Sequence, residues 1–511
     1  MHRSTVSSDG MSRLYRLLAA VERVGNRLPH PFWLFWILSA TLAVVSLALA
    51  TAGVSVVLPN TGETVAVRSL LSLDGLAFAA GSALENFAGF PPLAVIVVVL
   101  LGVAVAEKSG LLAALLRLTV VRLPTRLITF ATAFAAMTAH VMSDTAYLVM
   151  IPLGALAFRA AGRSPVLGVM VAYVSTAVGF NASPLVTPGD GIRTALTTTA
   201  AQTVDPNHVV TPVALYFFSA ASSVFLALVI TIVVETVLAK RPDLDGDVDG
   251  EGEGVGGLAL TALERRALVR ALATLVVIVA AVVTALAVPG SPLMGDHGSV
   301  VRSVVITNIA VFLSFTFAAV GLVYGRVTGT IPSISAAPPV MIDGVRQIAP
   351  VIVLFFAVSQ FLAYFDWTGI GSLVTVEGAD LLHALSAPHW VILVAIVLAI
   401  SVLNLVITSG SAAWSILAPV LVPMTMYIGM APELAMVGFQ IGDSVTNPVT
   451  PMNAYFIMAL GYVQKYRKDA GIGTLMSFTV PIALAILVAW TAFFLLWYAL
   501  GIPLGPGVDV R

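Results

Sequence analysis

Residues 429–451 read GMAPELAMVGFQIGDSVTNPVTP, and residues 162–184 read GRSPVLGVMVAYVSTAVGFNASP. Laid over each other at an offset of 267, Gly162 falls on Gly429, Pro165 on Pro432, Leu167 on Leu434 and Pro184 on Pro451. The match extends towards the N-terminus, where Tyr147 meets Trp414 and Pro152 meets Pro419. All three prolines of the window 140–185 land on prolines of the window 407–452. Apolar composition alone does not produce that coincidence. Duplicated apolar segments broken by Gly and Pro are the best sequence pointer to a secondary transporter's binding site. The chain reads as a transporter.

Composition sets the solvent. Of 511 residues, 59% are hydrophobic and only 10% are charged, whereas a soluble domain carries about a quarter charged residues. Most of this protein therefore faces lipid. The formal net charge of -1 offers nothing to nucleic acid. There is no cysteine, which excludes disulfides, thiolate metal sites and thiol nucleophiles. Residues 1–30 are polar and basic, and the run 31–53 lacks a cleavage pattern, so it reads as a retained first span rather than a signal peptide.

A span needs about 20 apolar residues. Candidates are 31–53, 91–107, 211–238, 267–289, 303–325, 341–365 and 473–500. Two more, 165–203 and 433–463, are too long and too polar at their centres to be plain helices. The stretches 127–161 and 390–428 are interrupted by His140-Val-Met-Ser-Asp-Thr145 and by Thr408-Ser-Gly-Ser-Ala-Ala413. Arg122 and Arg126 precede the first of these, and Arg159 and Arg163 close it. Basic residues mark the cytoplasmic side, so 127–161 is expected to be a re-entrant hairpin entered from within. The stretch 390–428 has no Lys or Arg near either end and is expected to enter from outside.

The expected fold class is therefore an all-α polytopic membrane protein of about nine transmembrane helices plus two oppositely oriented re-entrant hairpins. Five spans separate the hairpins, and that odd number inverts the second copy, the geometry of alternating-access carriers. The expected layout is a cytoplasmic segment 1–30, a first half 31–240, an acidic Gly-rich cytoplasmic linker 241–264, and a second half 265–505. The N-terminus falls inside and the C-terminus outside the bacterial inner membrane. Residues 110–126 read as an interfacial helix and 54–75 as a small outer loop. Asp spacing in Pro242–Gly257 is similar to a calcium loop, but no frame offers both Gly at position 6 and Glu at position 12, so it reads as a flexible linker.

A carboxylate at membrane depth costs about 2.5–3.5 kcal/mol on insertion scales. Three qualify: Asp144 at the first tip, Asp190 in the break of 165–203 and Asp443 in the break of 433–463. Each could instead cap a half-helix N-terminus, where free amides and the dipole favour an anion. Capping suits Asp144 as well as function does. For Asp190 and Asp443 function is the better reading, because unwound backbone within a membrane must line a cavity.

The break Gly442-Asp-Ser-Val-Thr-Asn-Pro-Val-Thr-Pro451 is rich in hydroxyl, amide and carbonyl oxygens. Its counterpart, Gly179-Phe-Asn-Ala-Ser-Pro-Leu-Val-Thr-Pro188, repeats the Asn and Ser/Thr-Pro elements. Such oxygens suit Na⁺; a lone buried carboxylate suits H⁺. The second tip adds Ser409, Gly410 and Ser411, whose amides could hold an anion, and Trp414, which either stacks on an aromatic substrate or simply packs. Asn404, four residues before the tip, is expected to join the same hydrogen-bonding cluster. His140 is a candidate proton relay, though a structural histidine is the plainer reading.

At these residues the chain resembles the AbgT family, the p-aminobenzoyl-glutamate transporters. The likeness spans nearly the whole chain and is most specific in Ser409-Gly-Ser-Ala-Ala-Trp414, Ala418-Pro-Val-Leu-Val-Pro423, Ala431-Pro-Glu-Leu434, Ile441-Gly-Asp-Ser444 and Thr446-Asn-Pro-Val-Thr-Pro451. In the first half it rests on Ser143-Asp144, Ile151-Pro-Leu153, Gly179-Phe180 and Asp190. The resemblance implies a homodimer with a cytoplasm-facing basin, cation-driven transport of p-aminobenzoyl-glutamate, and in some members efflux of sulfonamide antimetabolites. It implies that Asp190, Ser411, Trp414, Pro432, Asp443 and Pro451 line the substrate cavity, with Gln440 beside them, and that Asn404 and Asp443 belong to a cation site to which Asp144 and Asp190 could contribute. The family commonly has Lys where this chain has Ala413, Arg where it has Gln440, and Asn where it has Ser183. Arg193, one turn after Asp190, is a candidate for the missing positive charge.

The expected substrate is a small aromatic or amino-acid-conjugated anion, with Na⁺ or H⁺ as coupling ion and no other cofactor. A dicarboxylate or citrate-type carrier of the same plan is the nearest alternative, and an ion channel the alternative of another class. An enzyme is disfavoured, since neither a His-x-x-x-His pair nor a Gly-x-Ser-x-Gly elbow occurs.

Overall fold

In a computed structural model the described residues are 31–59, 62–121, 127–241, 244, 260–288, 290–294, 303–384 and 387–510. The expected N-terminal segment 1–30, Arg122, Arg126 and nearly all of the acidic linker lie outside them. Among the described residues the regular structure is helical apart from one small antiparallel hairpin, β1 (Ser55–Val57) and β2 (Thr64–Ala66). A helix satisfies its own backbone, which hydrocarbon requires of any spanning segment.

Helix α1 (Pro31–Thr51) is followed by the β-hairpin and by two short helices, α2 (Leu73–Gly81) and α3 (Ala83–Ala88). Ser72 caps α2 by accepting from the Gly75 amide at 3.0 Å. Then come α4 (Pro91–Lys108), α5 (Leu111–Val121), α6 (Ile128–Thr138), α7 (Thr145–Ala160), α8 (Pro165–Gly179), α9 (Pro188–Ala201) and α10 (Tyr216–Val233). The second half holds α11 (Ala262–Ala287), α12 (Ile309–Thr328), α13 (Ala337–Trp367), α14 (Ile370–Ala384), α15 (His389–Asn404), α16 (Gly410–Tyr427), α17 (Pro432–Thr446), α18 (Ala454–Gln464) and α19 (Ile472–Leu500). Among the described residues eight helices are long and apolar enough to cross a membrane.

The expected interruptions are present. α6 and α7 are joined through a short 3-10 turn, Ala139–Met142, and α15 and α16 through residues 405–409. The span expected over 165–203 is two helices, α8 and α9, and that over 433–463 is α17 and α18. Pro165 and Pro432 each open a helix at its first position, where the missing N–H costs nothing. The turn before each is closed by glycine at positive φ, Gly162 at 71° and Gly429 at 78°.

Residues read as cytoplasmic gather at one end. Arg163 pairs with Glu235 at 2.8 Å, and Arg117 pairs with Glu264. The β-hairpin marks the other end, where Arg68 donates to the Trp367 carbonyl at 2.9 Å and lies over the Trp367 ring. Between the expected stretches 341–365 and 390–428 stands a further helix at this end, α14. Thr375, Val376 and Ala379 fall on one buried helical face packed towards α16, while the helix's 15 residues, with Glu377 and Asp380 among them, are too few and too polar to span.

Candidate functional site

Both hairpin tips and both breaks open onto one cavity of about 730 Å³. The first tip contributes Ser143, Asp144 and Thr145; the second contributes Thr408 to Ser411. Phe180 comes from the first break and Pro188 and Gly189 from the start of α9 just after it; Asn447 and Asn453 come from the second break and Tyr455 from the first turn of α18. Tyr147 and Tyr455 stack at 4.0 Å with an interplanar angle of 4°, a flat aromatic wall.

Among the described residues lining it, no Lys or Arg occurs. Positive potential comes from the backbone instead. Helices α7, α9, α16 and α18 all begin at the cavity wall, at Thr145, Pro188, Gly410 and Ala454. Each helix N-terminus is equivalent to roughly half a positive charge, and half-helix N-termini aimed at a midplane cavity suit an anion.

The opposite ends of the half-helices meet behind the second tip. Asp443 lies in the last turn of α17, 1% exposed. Its carboxylate Oδ2 accepts a hydrogen bond from Asn181 Nδ2 at 2.8 Å, and the same amide donates to Ser444 Oγ at 2.8 Å. Asn404 Nδ2 donates to the Asp443 carbonyl at 2.6 Å, to Thr446 Oγ1 at 3.0 Å and to Asn447 Oδ1 at 3.1 Å. Gly410 brings the second tip so close that a Cβ there would stand 3.1 Å from Asp443 Oδ1.

A carboxylate near a helix C-terminus opposes the macrodipole. Buried oxygens are normally bonded, yet Asp443 Oδ1, Asn404 Oδ1, Asn181 Oδ1 and Gln440 Oε1 are buried without a hydrogen-bond partner. Hard, unpaired oxygens around one carboxylate fit a small cation.

Not every expected site residue faces the cavity. Asp190 is corrected from unwound backbone to the third residue of α9, where it completes a capping box with Thr187 and pairs with Arg193 at 2.8 Å. Asp443 is likewise corrected from the break to the helical turn before it. The reason is the same in both: the breaks span only 180–187 and 447–453, bounded by Pro188 and by the cap Asn453. Arg193, 2% exposed, also donates to the Phe180 carbonyl at 3.3 Å. It does not line the cavity, so Asp190 and the backbone already hold its charge.

Trp414 is fully buried between α9 and α17, its indole N–H donated to Thr197 Oγ1 at 3.0 Å, its ring 4.7 Å from Phe439. It packs rather than stacking on anything in the cavity. Gln440 and Asp190 line a separate void of about 10 Å³. Pro432 is buried at the start of α17, Pro451 lies in the second break, and Ser411 lines the cavity. Asp144 also lines it, with Tyr455, and makes no cap bond. His140 is buried edge-on to Tyr147 and Phe180.

Asn181 is the site residue that sequence reasoning left unassigned. Its signal was the Asn shared by both breaks; its reach across to the other repeat is a tertiary fact.

Eight helices fit to cross a membrane, with two related, interrupted repeats enclosing one cavity, define a multi-pass membrane carrier. The family profile described as AbgT putative transporter family matches residues 16–511. The p-aminobenzoyl-glutamate transport protein of Escherichia coli is 34% identical over 515 residues, covering 100% of both chains. Two solved transporters share the fold. YdaH of Alcanivorax borkumensis has a TM-score of 0.88 at 34% identity, over 94% of this chain and 100% of its own. MtrF of Neisseria gonorrhoeae, described within a class of antimetabolite efflux pumps, has a TM-score of 0.90 at 36% identity, over 96% and 100%. The chain belongs to the AbgT family of transporters.

Proposed function

We propose that this protein is a cation-coupled secondary transporter of p-aminobenzoyl-glutamate or a related aromatic anion, with sulfonamide antimetabolites as further cargo. One observation carries the reading: Asn181 of the first break, Asn404 and the second tip all converge on Asp443, directly behind a cavity that four helix N-termini face. Carboxylates of the substrate sit against the N-termini; the aryl ring lies along Tyr147 and Tyr455. The cation, Na⁺ or H⁺, takes the unpaired oxygens of Asp443, Asn404 and Asn181. Because the cation site touches the tip that lines the substrate cavity, occupancy of one biases the other, which is what coupling requires. A homodimer in the bacterial inner membrane, N-terminus inside and C-terminus outside, is part of the proposal.

The test is flux of p-aminobenzoyl-glutamate and of a sulfonamide in proteoliposomes, with Na⁺ and pH gradients imposed separately. Accumulation driven by one gradient and abolished by its collapse is expected. Equal flux with no gradient, or transport of succinate and citrate in preference, would overturn the assignment.

A further inference from the structure

A second cavity, of about 460 Å³, lies towards the β-hairpin end of the molecule. Four helices line both cavities in succession, α4 with Ile96 at the first and Pro91 at the second. On α9, Ile192 lines the first and Leu196 the second; on α13 these are Val351 and Ser359; on α16 they are Ser411 and Ala418. At 1.5 Å per residue, the septum between them is only about 6–12 Å thick along these helices. Phe355 fills it from α13, fully buried, with its ring edge-on to Phe90 at 5.2 Å. Phe90 itself lines the second cavity.

The two cavities differ in chemistry. Two helices begin at the second, α4 at Pro91 and α14 with Gly371 and Ser372 in its first turn, against four at the first, and its described lining holds no Lys or Arg. Its polar lining is the Asp366 carboxylate, the Gln202 amide, the Thr375 hydroxyl, and the Thr199 and Thr203 hydroxyls, whose protons go to the Ala195 and Ala200 carbonyls at 3.0 and 2.7 Å so that their oxygens accept. Phe365 and Tyr427 add aromatic surface. Asp366 and these oxygens suit an aromatic ring bearing N–H donors, and with half as many helix N-termini the site holds a carboxylate less well than the first cavity. The wall is also built to move. Pro350 within α13, and Pro419 and Pro423 within α16, each remove an internal helix hydrogen bond beside this path.

We propose that the second cavity is a binding station for an aromatic amine, entered amine-first from the first cavity when Phe355 leaves the septum. The proposal rests on the reading that this chain carries an aromatic-amine conjugate. The carboxylate end stays against the helix N-termini while the amine end reaches Asp366.

The chain has no cysteine, so single Cys substitutions can be labelled without a background. Membrane-impermeant maleimide is applied to right-side-out and to inside-out vesicles. Thr375→Cys should label from outside and Ser411→Cys only from inside. Saturating p-aminobenzoyl-glutamate should slow labelling at both positions at least fivefold, whereas benzoyl-glutamate, lacking the amine, should protect only Ser411→Cys. Phe355→Ala, or the milder Phe355→Leu, should make Ser411→Cys reactive from both sides. Thr375→Cys unreactive from outside, equal protection of it by the amine-free compound, or one-sided Ser411→Cys in both Phe355 variants would each overturn the proposal. Protection at Ser411→Cys alone by p-aminobenzoyl-glutamate overturns the second station only. Protection at neither position overturns the substrate reading as well, so the two failures are distinguishable.

Discussion

The repeats build the same scaffold from α8 and α17, which begin on Pro165 and Pro432 and end on Gly179 and Thr446, all related by 267 residues. Chemistry is distributed quite differently over it. In the first repeat, Gly179 is packed on Met137, where an added Cβ would stand 2.6 Å from the Met137 Cα. In the second, the equivalent pair is Thr446 and Asn404, hydrogen-bonded at 3.0 Å. The counterpart of Asp443 is Thr176, whose hydroxyl donates to its own helix at Ala172. The counterpart of Trp414 is Tyr147, which lines the cavity while Trp414 is buried. Both repeats wall the cavity, but at these matched positions the second carries the polar cluster around Asp443 where the first packs. Asn181 is a polar side chain that the first repeat lends to that cluster.

That asymmetry is tested most severely by exchanging matched positions. Asp443→Asn should lower gradient-driven flux about a hundredfold, the scale of losing roughly 3 kcal/mol of charge-assisted contact, while Thr176→Val leaves it within about twofold. Equal losses in the two variants would dissolve the distinction between halves. Asn181→Ala removes the donor to Asp443 Oδ2 without touching α17. Flux should fall about tenfold, and melting should show a loss of about 1.5–2 kcal/mol for a charged group left unpaired; an unchanged cation dependence would remove Asn181 from the site.

Where the scaffold is shared, the effects should be equal. Gly162→Ala and Gly429→Ala each place a Cβ at positive φ and should each cost about 1 kcal/mol, read as matching drops in melting temperature. A large difference between them would mean the turns are not equivalent.

The smallest effect concerns a single contact between the two halves. His208, in the loop after α9, lies 3.2 Å from Glu433 at the start of α17. The hydrogen bond to Glu433 is the main cause that raises the His208 pKa above its usual value. Its contribution, up to about 1 kcal/mol for a part-exposed pair, is therefore complete below about pH 6.5, the unfolded value. It is lost as pH rises through the higher folded value. The melting difference between the protein and His208→Gln should shrink from pH 5.5 to pH 9; a gap that widens would reverse the assignment.

Much of this was legible along the chain. Hydropathy gave the spans, and Pro165, Pro432, Gly162 and Gly429 marked helix boundaries because proline and left-handed glycine have local meaning wherever they stand. Asp443 and Asn404 could be singled out because polar groups are expensive at membrane depth. The roles of Asp190, Arg193 and Trp414 could not. Whether a carboxylate caps, pairs or faces a cavity depends on which way its helix turns and on what stands opposite.

What the sequence determined alone is the set of local and solvent-driven facts: a lipid-embedded, helical, twice-interrupted chain in two related halves. Those follow from transfer free energies and backbone restrictions that act residue by residue. Only the tertiary structure decided that Asn181 reaches Asp443, that Arg193 is consumed by Asp190, and that Phe355 divides two cavities. Each of these joins residues distant in the chain, and no short-range rule fixes which of several polar groups will meet.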